Sequence, residues 1–104
     1  MIRHIVLVRF RHDVTEAGIA EFWRDLHAIK PKVPGFRTVA AGRSESPEKI
    51  ERGYVHGFVA EFEDWAALAA YQDHPDHKAF GARLVEHAVG GLDGILVFDL
   101  ETPA

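Results

Sequence analysis

The sequence has no cysteine, no excess of basic residues and no long apolar run. Without cysteine, disulfide bonds, thiolate catalysis and cysteine-ligated zinc are excluded. Twelve Lys and Arg stand against sixteen Asp and Glu, and the net charge of −4 argues against a nucleic-acid partner. No apolar stretch approaches the ~18 residues that span a membrane, so we expect no membrane partner. No glycine-rich phosphate loop opens a helix, so we expect no nucleotide cofactor.

The 104 residues have the composition of an ordinary globular protein, with 47% hydrophobic and 27% charged residues. This length predicts one domain over residues 1–104. Met1 leads directly into an alternating strand pattern, so we expect no signal peptide and a cytoplasmic location. Histidine is the residue type in excess, with seven copies.

The hydrophobic pattern alternates between strand and helix periods along the chain. Period-two alternation predicts strands at 2–11, 36–43, 53–63 and 94–101. Helical spacing predicts helices over 15–29 and 65–73 and from Pro75 to Gly90. The order β-α-β-β-α-α-β predicts an α+β, ferredoxin-like split βαβ fold with an antiparallel four-stranded sheet.

The topology places distant residues together. The first strand lies between the third and the fourth, so His4 is expected near Asp99. His56 lies near the beginning of the third strand and is expected toward the opposite end of the sheet. A buried imidazole needs partners for both ring nitrogens, and Asp99 is one candidate for His4.

The sheet has apolar side chains in both phases of its strands. Helices can cover only one face, which leaves the other exposed to water. This second face comprises Ile5, Leu7, Val55, Val59, Leu96, Phe98 and Leu100. We therefore predict a homodimer that pairs these sheet faces.

The densest polar cluster is the segment from Tyr71 to His77. If Pro75 is the first helical residue, His77 lies at the positive end of the helix dipole, which keeps its imidazole neutral and able to act as a general base. The Tyr71 hydroxyl could donate a hydrogen bond to a substrate carbonyl or enolate. The alternative is that both residues serve only the fold.

A metal site using His74 and His77, with His4 or His56 added, is a weaker hypothesis. No motif spacing supports it, and we expect no metal.

Several motifs resemble the stress-responsive α/β-barrel (Dabb) family, whose fold is a dimeric α+β barrel. They are HIVLVRF at 4–10, VPGF at 33–36, GYVH at 53–56, YQDHPDHKAF at 71–80 and VFD at 97–99. The best-defined enzyme of this family is a plant polyketide cyclase. It closes a linear poly-β-ketide by aldol condensation without a cofactor or metal.

The resemblance implies roles for individual residues. The cyclase's catalytic tyrosine and histidine fall on Tyr71 and His77, and its histidine-orienting aspartate falls on Asp99. Its strand histidines fall on His4 and His56. This chain departs from the cyclase at Leu26, which replaces a pocket tyrosine, and nearby at Trp23, which replaces a phenylalanine, so the pocket and substrate must differ.

The leading hypothesis is a cofactor-free enzyme that catalyses enolisation or aldol cyclisation of a small ketide or phenolic substrate. Tyr71, His77 and Asp99 would be catalytic, with Asp99 fixing the tautomer of His77. His4 would bind a distal polar group. The apolar ligand would be enclosed by Val6, Val8, Ile19, Phe22, Trp23, Leu26, Phe58, Phe80 and Leu84. The alternatives are a non-enzymatic small-ligand-binding stress protein and a cofactor-free monooxygenase.

Overall fold

A computed structural model describes residues 1–103 and confirms the predicted α+β order of elements. The strands are β1 (Ile2–Val8), β2 (Phe36–Arg43), β3 (His56–Phe62) and β4 (Ile95–Glu101). The helices are α1 (Glu16–Ile29), α2 (Trp65–Asp73) and α3 (Pro75–His87), with 3-10 turns at Lys30–Lys32 and Gly91–Gly94. The sheet order is β2-β3-β1-β4, and each neighbouring pair is antiparallel. The structure is therefore the predicted ferredoxin-like sheet.

Two strands are at least three residues shorter than the sequence pattern predicts, β4 begins one residue later than predicted, and α3 ends at His87 instead of continuing to Gly90. β1 ends at Val8 instead of continuing to residue 11, because the Arg9 main chain bonds to the segment between α3 and β4, through the Gly94 carbonyl and the Val89 N–H. β3 begins at His56 instead of residue 53, because the chain turns sharply before it. In that turn Gly53 has a φ of 90°. Alternation alone could not detect these turns, since their side chains keep the strand pattern.

Side chains cap the helices at their predicted starts. The Thr15 hydroxyl accepts a hydrogen bond from the Gly18 N–H at the start of α1. The Asp64 carboxylate accepts from the Ala67 N–H at the start of α2. α3 begins at Pro75, as predicted, and His74 is its N-cap. These caps satisfy N–H groups that the helices leave unpaired.

The three helices bury the sheet face that carries His4, Val6 and Val8. Coverage is weakest over the edge strand β4, where Val97 lies in the phase that faces the helices but remains 57% exposed. The opposite sheet face carries the apolar row predicted from the sequence apart from Val55, which lies just before β3. Phe98 in this row is 61% exposed. None of the helices within residues 1–103 is long and apolar enough to cross a membrane.

Gly57 and Gly42 face each other in the β2–β3 ladder and offer a matched test of this packing. A Cβ at Gly57 would lie 2.5 Å from the Val6 carbonyl oxygen, whereas a Cβ at Gly42 meets nothing within 4 Å. We expect Gly57→Ala to lower the free energy of unfolding by about 1–3 kcal/mol, the usual cost of overpacking. Gly42→Ala should leave it unchanged or raise it slightly. Urea denaturation measures both, and equal stability of the two variants would contradict this packing.

Candidate functional site

The His4 side chain is held by a carboxylate on the neighbouring strand. The register places His4 opposite Asp99, and the His4 Nδ1 lies 2.6 Å from an Asp99 carboxylate oxygen, as the topology predicted. His4 is buried, whereas the Asp99 side chain is partly exposed. A carboxylate accepts hydrogen bonds, so Nδ1 carries the proton. In the neutral ring the second nitrogen, Nε2, is then a hydrogen-bond acceptor.

His77 is fixed in the same tautomer by a main-chain group. Its Nδ1 lies 3.1 Å from the carbonyl oxygen of Gln72, which can only accept. Nδ1 is thus the donor and Nε2 the free base. Burial lowers the pKa of His77 below its ordinary value of 6.5; the Gln72 carbonyl opposes this shift, and the electrostatic effects of the nearby His4 and His74 side chains add to it. The sequence predicted a neutral imidazole, and desolvation is its largest cause.

Tyr71 lies against both imidazoles. Its ring centroid is 4.3 Å from that of His77 and 5.9 Å from that of His4. The side chain has no exposed surface, and its hydroxyl has no hydrogen-bond partner within residues 1–103. Burial raises the pKa of Tyr71 well above its usual value of 10, so the hydroxyl stays protonated. A buried hydroxyl without a partner is uncommon and calls for an explanation.

Beside these residues lies a cavity of about 280 Å³ between the sheet and α3. Its polar residues are His4, Gln72 and His77, and none of its lining residues is a Lys, Arg, Asp or Glu. Leu92 and Val97, exposed by 72% and 57%, line the side that is open to solvent. The remaining lining residues are Val6, Phe58, Phe80, Gly81, Leu84, Val85 and Ile95. The arrangement is an apolar chamber with two imidazole rings in its wall.

The structure brings together only part of the predicted site. His4, Val6, Phe58, Phe80, Leu84 and His77 line the cavity. Val8, Ile19, Phe22 and Leu26 are buried in the core instead, and Trp23 packs against Phe10 and Phe58. The lining does not include Tyr71, which lies behind His77.

The predicted pairing of Asp99 with His77 is wrong. The Asp99 carboxylate bonds to His4, and the Nδ1 of His77 bonds to the carbonyl of Gln72. His4 directly faces Asp99 across the β1–β4 ladder, whereas His77 belongs to α3, whose preceding turn supplies its partner. Asp99 therefore sets the tautomer of His4, whereas the prediction assigned it to His77.

The sequence analysis missed part of the cavity wall. Ile95 and Val97 share the strand phase of Asp99, and that phase could have placed them beside His4. Gln72 follows Tyr71 directly, and no local pattern marks it as a wall residue. Leu92 lies in the 3-10 turn before β4, where periodicity carries no information.

The remaining histidines do not join this site. His56 pairs with Val8 at the other end of β1, as predicted, and its Nε2 lies 3.0 Å from a Glu16 carboxylate oxygen. The Nδ1 of His74 accepts from the Asp76 N–H in the cap of α3. Over the part of the chain that the structure describes, no three His, Asp or Glu side chains form a cluster suited to a metal ion.

The fold and the site define a ferredoxin-like α+β protein with a small apolar cavity between the sheet and its helices. The chain belongs to the stress responsive A/B barrel domain family, whose model matches residues 2–102. It is 28% identical over 80 residues to olivetolic acid cyclase from Cannabis sativa, covering 77% of this chain and 79% of the cyclase. It is 29% identical over 98 residues to the stress-response A/B barrel domain-containing protein HS1 from Arabidopsis thaliana, covering 94% and 86%.

A solved structure shares almost the entire fold. It is a dimeric ferredoxin-like protein of unknown function from Jannaschia, 35% identical in sequence. The TM-score is 0.91, and the match covers 97% of this chain and 98% of the other. The likeness confirms the fold and links the chain to a dimeric relative.

The unpartnered hydroxyl of Tyr71 makes a specific prediction. Tyr71→Phe removes a buried polar group that has no partner, so the free energy of unfolding should stay constant or rise by about 1 kcal/mol. Thermal unfolding followed by circular dichroism measures this. Tyr54→Phe is the matched control, because the Tyr54 hydroxyl donates to the Asp93 carbonyl and its loss should not stabilise the protein. A clear loss of stability in Tyr71→Phe would contradict the unpartnered state.

Proposed function

We propose that the protein is a cofactor-free enzyme that removes a proton next to a carbonyl group of a small, largely apolar substrate. The observation that carries this proposal is the free Nε2 of His77 at an apolar cavity, on an imidazole that burial keeps neutral. A neutral imidazole near physiological pH is the most common general base in proteins. Enolisation, or the aldol cyclisation that follows from it, is the reaction class.

The proposed step moves one proton. The Nε2 of His77 takes a proton from the carbon next to the carbonyl, the C–H bond breaks, and its electrons move to the carbonyl oxygen. In a cyclising substrate the enolate carbon then bonds to a second carbonyl carbon, and the imidazolium returns its proton to the new alkoxide. His4 accepts a hydrogen bond through Nε2 from a distal hydroxyl group of the substrate. Asp99 is a positioning residue that holds His4 in this tautomer.

Family relationship supports the reaction class more than the substrate. One relative is named as a cyclase, and Tyr71 and His77 match the catalytic pair that the resemblance implies. Leu26, which the resemblance aligns with a pocket tyrosine of the cyclase, is buried in the core. We therefore propose the chemistry and a ketide-like or phenolic class, and not the relative's own substrate.

Binding without turnover is the second candidate function. The observation that favours it is the Tyr71 hydroxyl, which has no accessible surface and lies behind His77. A site without an accessible tyrosine could hold a ligand in the same cavity without polarising a carbonyl. Proton exchange from a bound ketone distinguishes the two candidates, because binding alone leaves the exchange rate unchanged.

The exchange test uses phenylacetone in D2O, with loss of the benzylic proton signal followed by NMR. We expect the protein to accelerate exchange and His77→Asn to reduce the catalysed rate by about 100-fold or more, the usual contribution of a general base. Asparagine can still donate to the Gln72 carbonyl, so the fold should persist. His27→Asn, an exposed change on α1, is the matched control and should exchange like the wild type. Equal rates in His77→Asn and the wild type would refute the mechanism.

The pH dependence of the same reaction follows from the lowered pKa of His77. The base must be unprotonated, so the rate should be constant at neutral pH and fall only as the pH drops through a value below 6.5. Exchange measured between pH 4.5 and 8 gives that midpoint. A midpoint at or above 6.5 would contradict the assignment of the buried imidazole as the base.

We further propose that the protein works as a cytoplasmic homodimer through the outer sheet face. The described relative is dimeric, and the face exposes Val59, Leu96, Phe98 and Leu100 in one apolar row. A monomer seldom leaves such a contiguous patch in water. Burying this row against a second copy would remove it from solvent.

Phe98→Asp tests this interface. A charge at a residue that is 61% exposed costs little in the monomer but is expensive at the centre of an apolar interface. Light scattering over a concentration series should give a dimer for the wild type and a monomer for Phe98→Asp. Ile50→Asp is the control, since Ile50 is also exposed but lies outside the sheet. A dimeric Phe98→Asp, or a monomeric wild type, would exclude this face.

A further inference from the structure

The polar groups of the cavity are unevenly divided between acceptors and donors. His4 and His77 both use their Nδ1 protons, for Asp99 and for the Gln72 carbonyl, and so in the neutral form each ring offers only an acceptor at Nε2. The Tyr71 hydroxyl has no accessible surface. A carbonyl oxygen that gains negative charge needs a hydrogen-bond donor. Among the residues that line the cavity, the one side chain with a free donor is that of Gln72.

Gln72 also occupies a fixed position relative to the base. It is the last but one residue of α2, and its main-chain carbonyl accepts the proton of the His77 imidazole. Its side chain is exposed, and its carboxamide forms no hydrogen bond with any other residue between 1 and 103. One residue therefore orients the base through its main chain and keeps a donor free on its side chain.

The charge of the wall restricts the ligand. No Lys or Arg lines the cavity. In their neutral forms both imidazoles present acceptors at Nε2. A carboxylate or phosphate entering this site would lose its hydration without gaining a cation, which is costly. An uncharged ligand avoids this cost, and its apolar body can pack against the aliphatic and aromatic wall.

We propose that the Gln72 carboxamide binds the carbonyl oxygen of an uncharged ketone or aldehyde and presents the adjacent carbon to His77. This assignment rests on the proposed function and adds to it a substrate-binding residue and the charge state of the substrate. Gln72 is a binding residue that touches the substrate oxygen. Specificity for a carbonyl over a hydrocarbon of the same shape then depends on this one side chain.

Three probes of similar size test the assignment: acetophenone, α-methylstyrene, in which CH2 replaces the carbonyl oxygen, and benzoate, which is charged. NMR titration of each probe gives its dissociation constant. The wild type should prefer acetophenone over α-methylstyrene by about 2- to 10-fold, as expected for one neutral hydrogen bond. Gln72→Met, which keeps the length of the side chain but removes the donor, should abolish this preference while α-methylstyrene binds as before. Asp73→Asn, next in sequence and also exposed, is the control that should keep it.

The outcomes separate this assignment from the proposed function. A carbonyl preference that survives in Gln72→Met, but is lost in Tyr71→Phe, would assign the donor to Tyr71 and overturn the role of Gln72. Benzoate binding as tightly as acetophenone would overturn the uncharged class. Acetophenone binding that depends on Gln72, together with phenylacetone exchange that does not depend on His77, would support Gln72 and refute the enolisation mechanism. No binding of either neutral probe would overturn both.

Discussion

The position of β1 between β3 and β4 is the constraint on which the site depends. Its antiparallel register places His4 opposite Ala60 on one side and Asp99 on the other. A shift of this register by one residue would turn every β1 side chain to the other face and would move His4 out of the core. The strand is central, so its pairing on both sides holds the imidazole and its carboxylate partner in place.

The two imidazoles of the cavity each have their Nδ1 held by a hydrogen-bond acceptor, and the acceptor differs between them. A carboxylate holds the Nδ1 proton of His4, and a main-chain carbonyl holds that of His77. In each ring, Nε2 is therefore the nitrogen that remains available to a ligand. Burial keeps His77 neutral, because charging an imidazole away from water is unfavourable.

The unpaired hydroxyl of Tyr71 lies beside both rings, and an unsatisfied buried group costs on the order of 1–3 kcal/mol. The Nδ1 of His56, at the other end of β1, is also buried without a partner, but only the Tyr71 hydroxyl lies beside the cavity residues His4 and His77. A cost of this kind next to the cavity is the pattern expected when function competes with stability.

The edge strand β4 connects the site with the proposed dimer. One of its faces carries Leu96 and Phe98 on the outer sheet surface, and the other carries Val97 at the open side of the cavity. Both faces of the strand carry exposed apolar side chains, and strands that are buried on both faces have apolar residues in both phases. A second copy on the outer face and a ligand on the inner face would satisfy the strand on both sides.

The sequence alone determined the order of elements, the strand phases and the proximity of His4 to Asp99, because periodicity and sheet topology follow from local spacing and simple connectivity. The Thr15 and Asp64 caps and the start of α3 at Pro75 are equally local features. Only the tertiary structure decided that Asp99 serves His4 and not His77, that Tyr71 lies behind the base, and that Gln72 faces the cavity. These depend on how α2 and α3 rotate and pack over the sheet. The physical reason is that such packing is set by the fit of many side chains at once, which no single stretch of sequence contains.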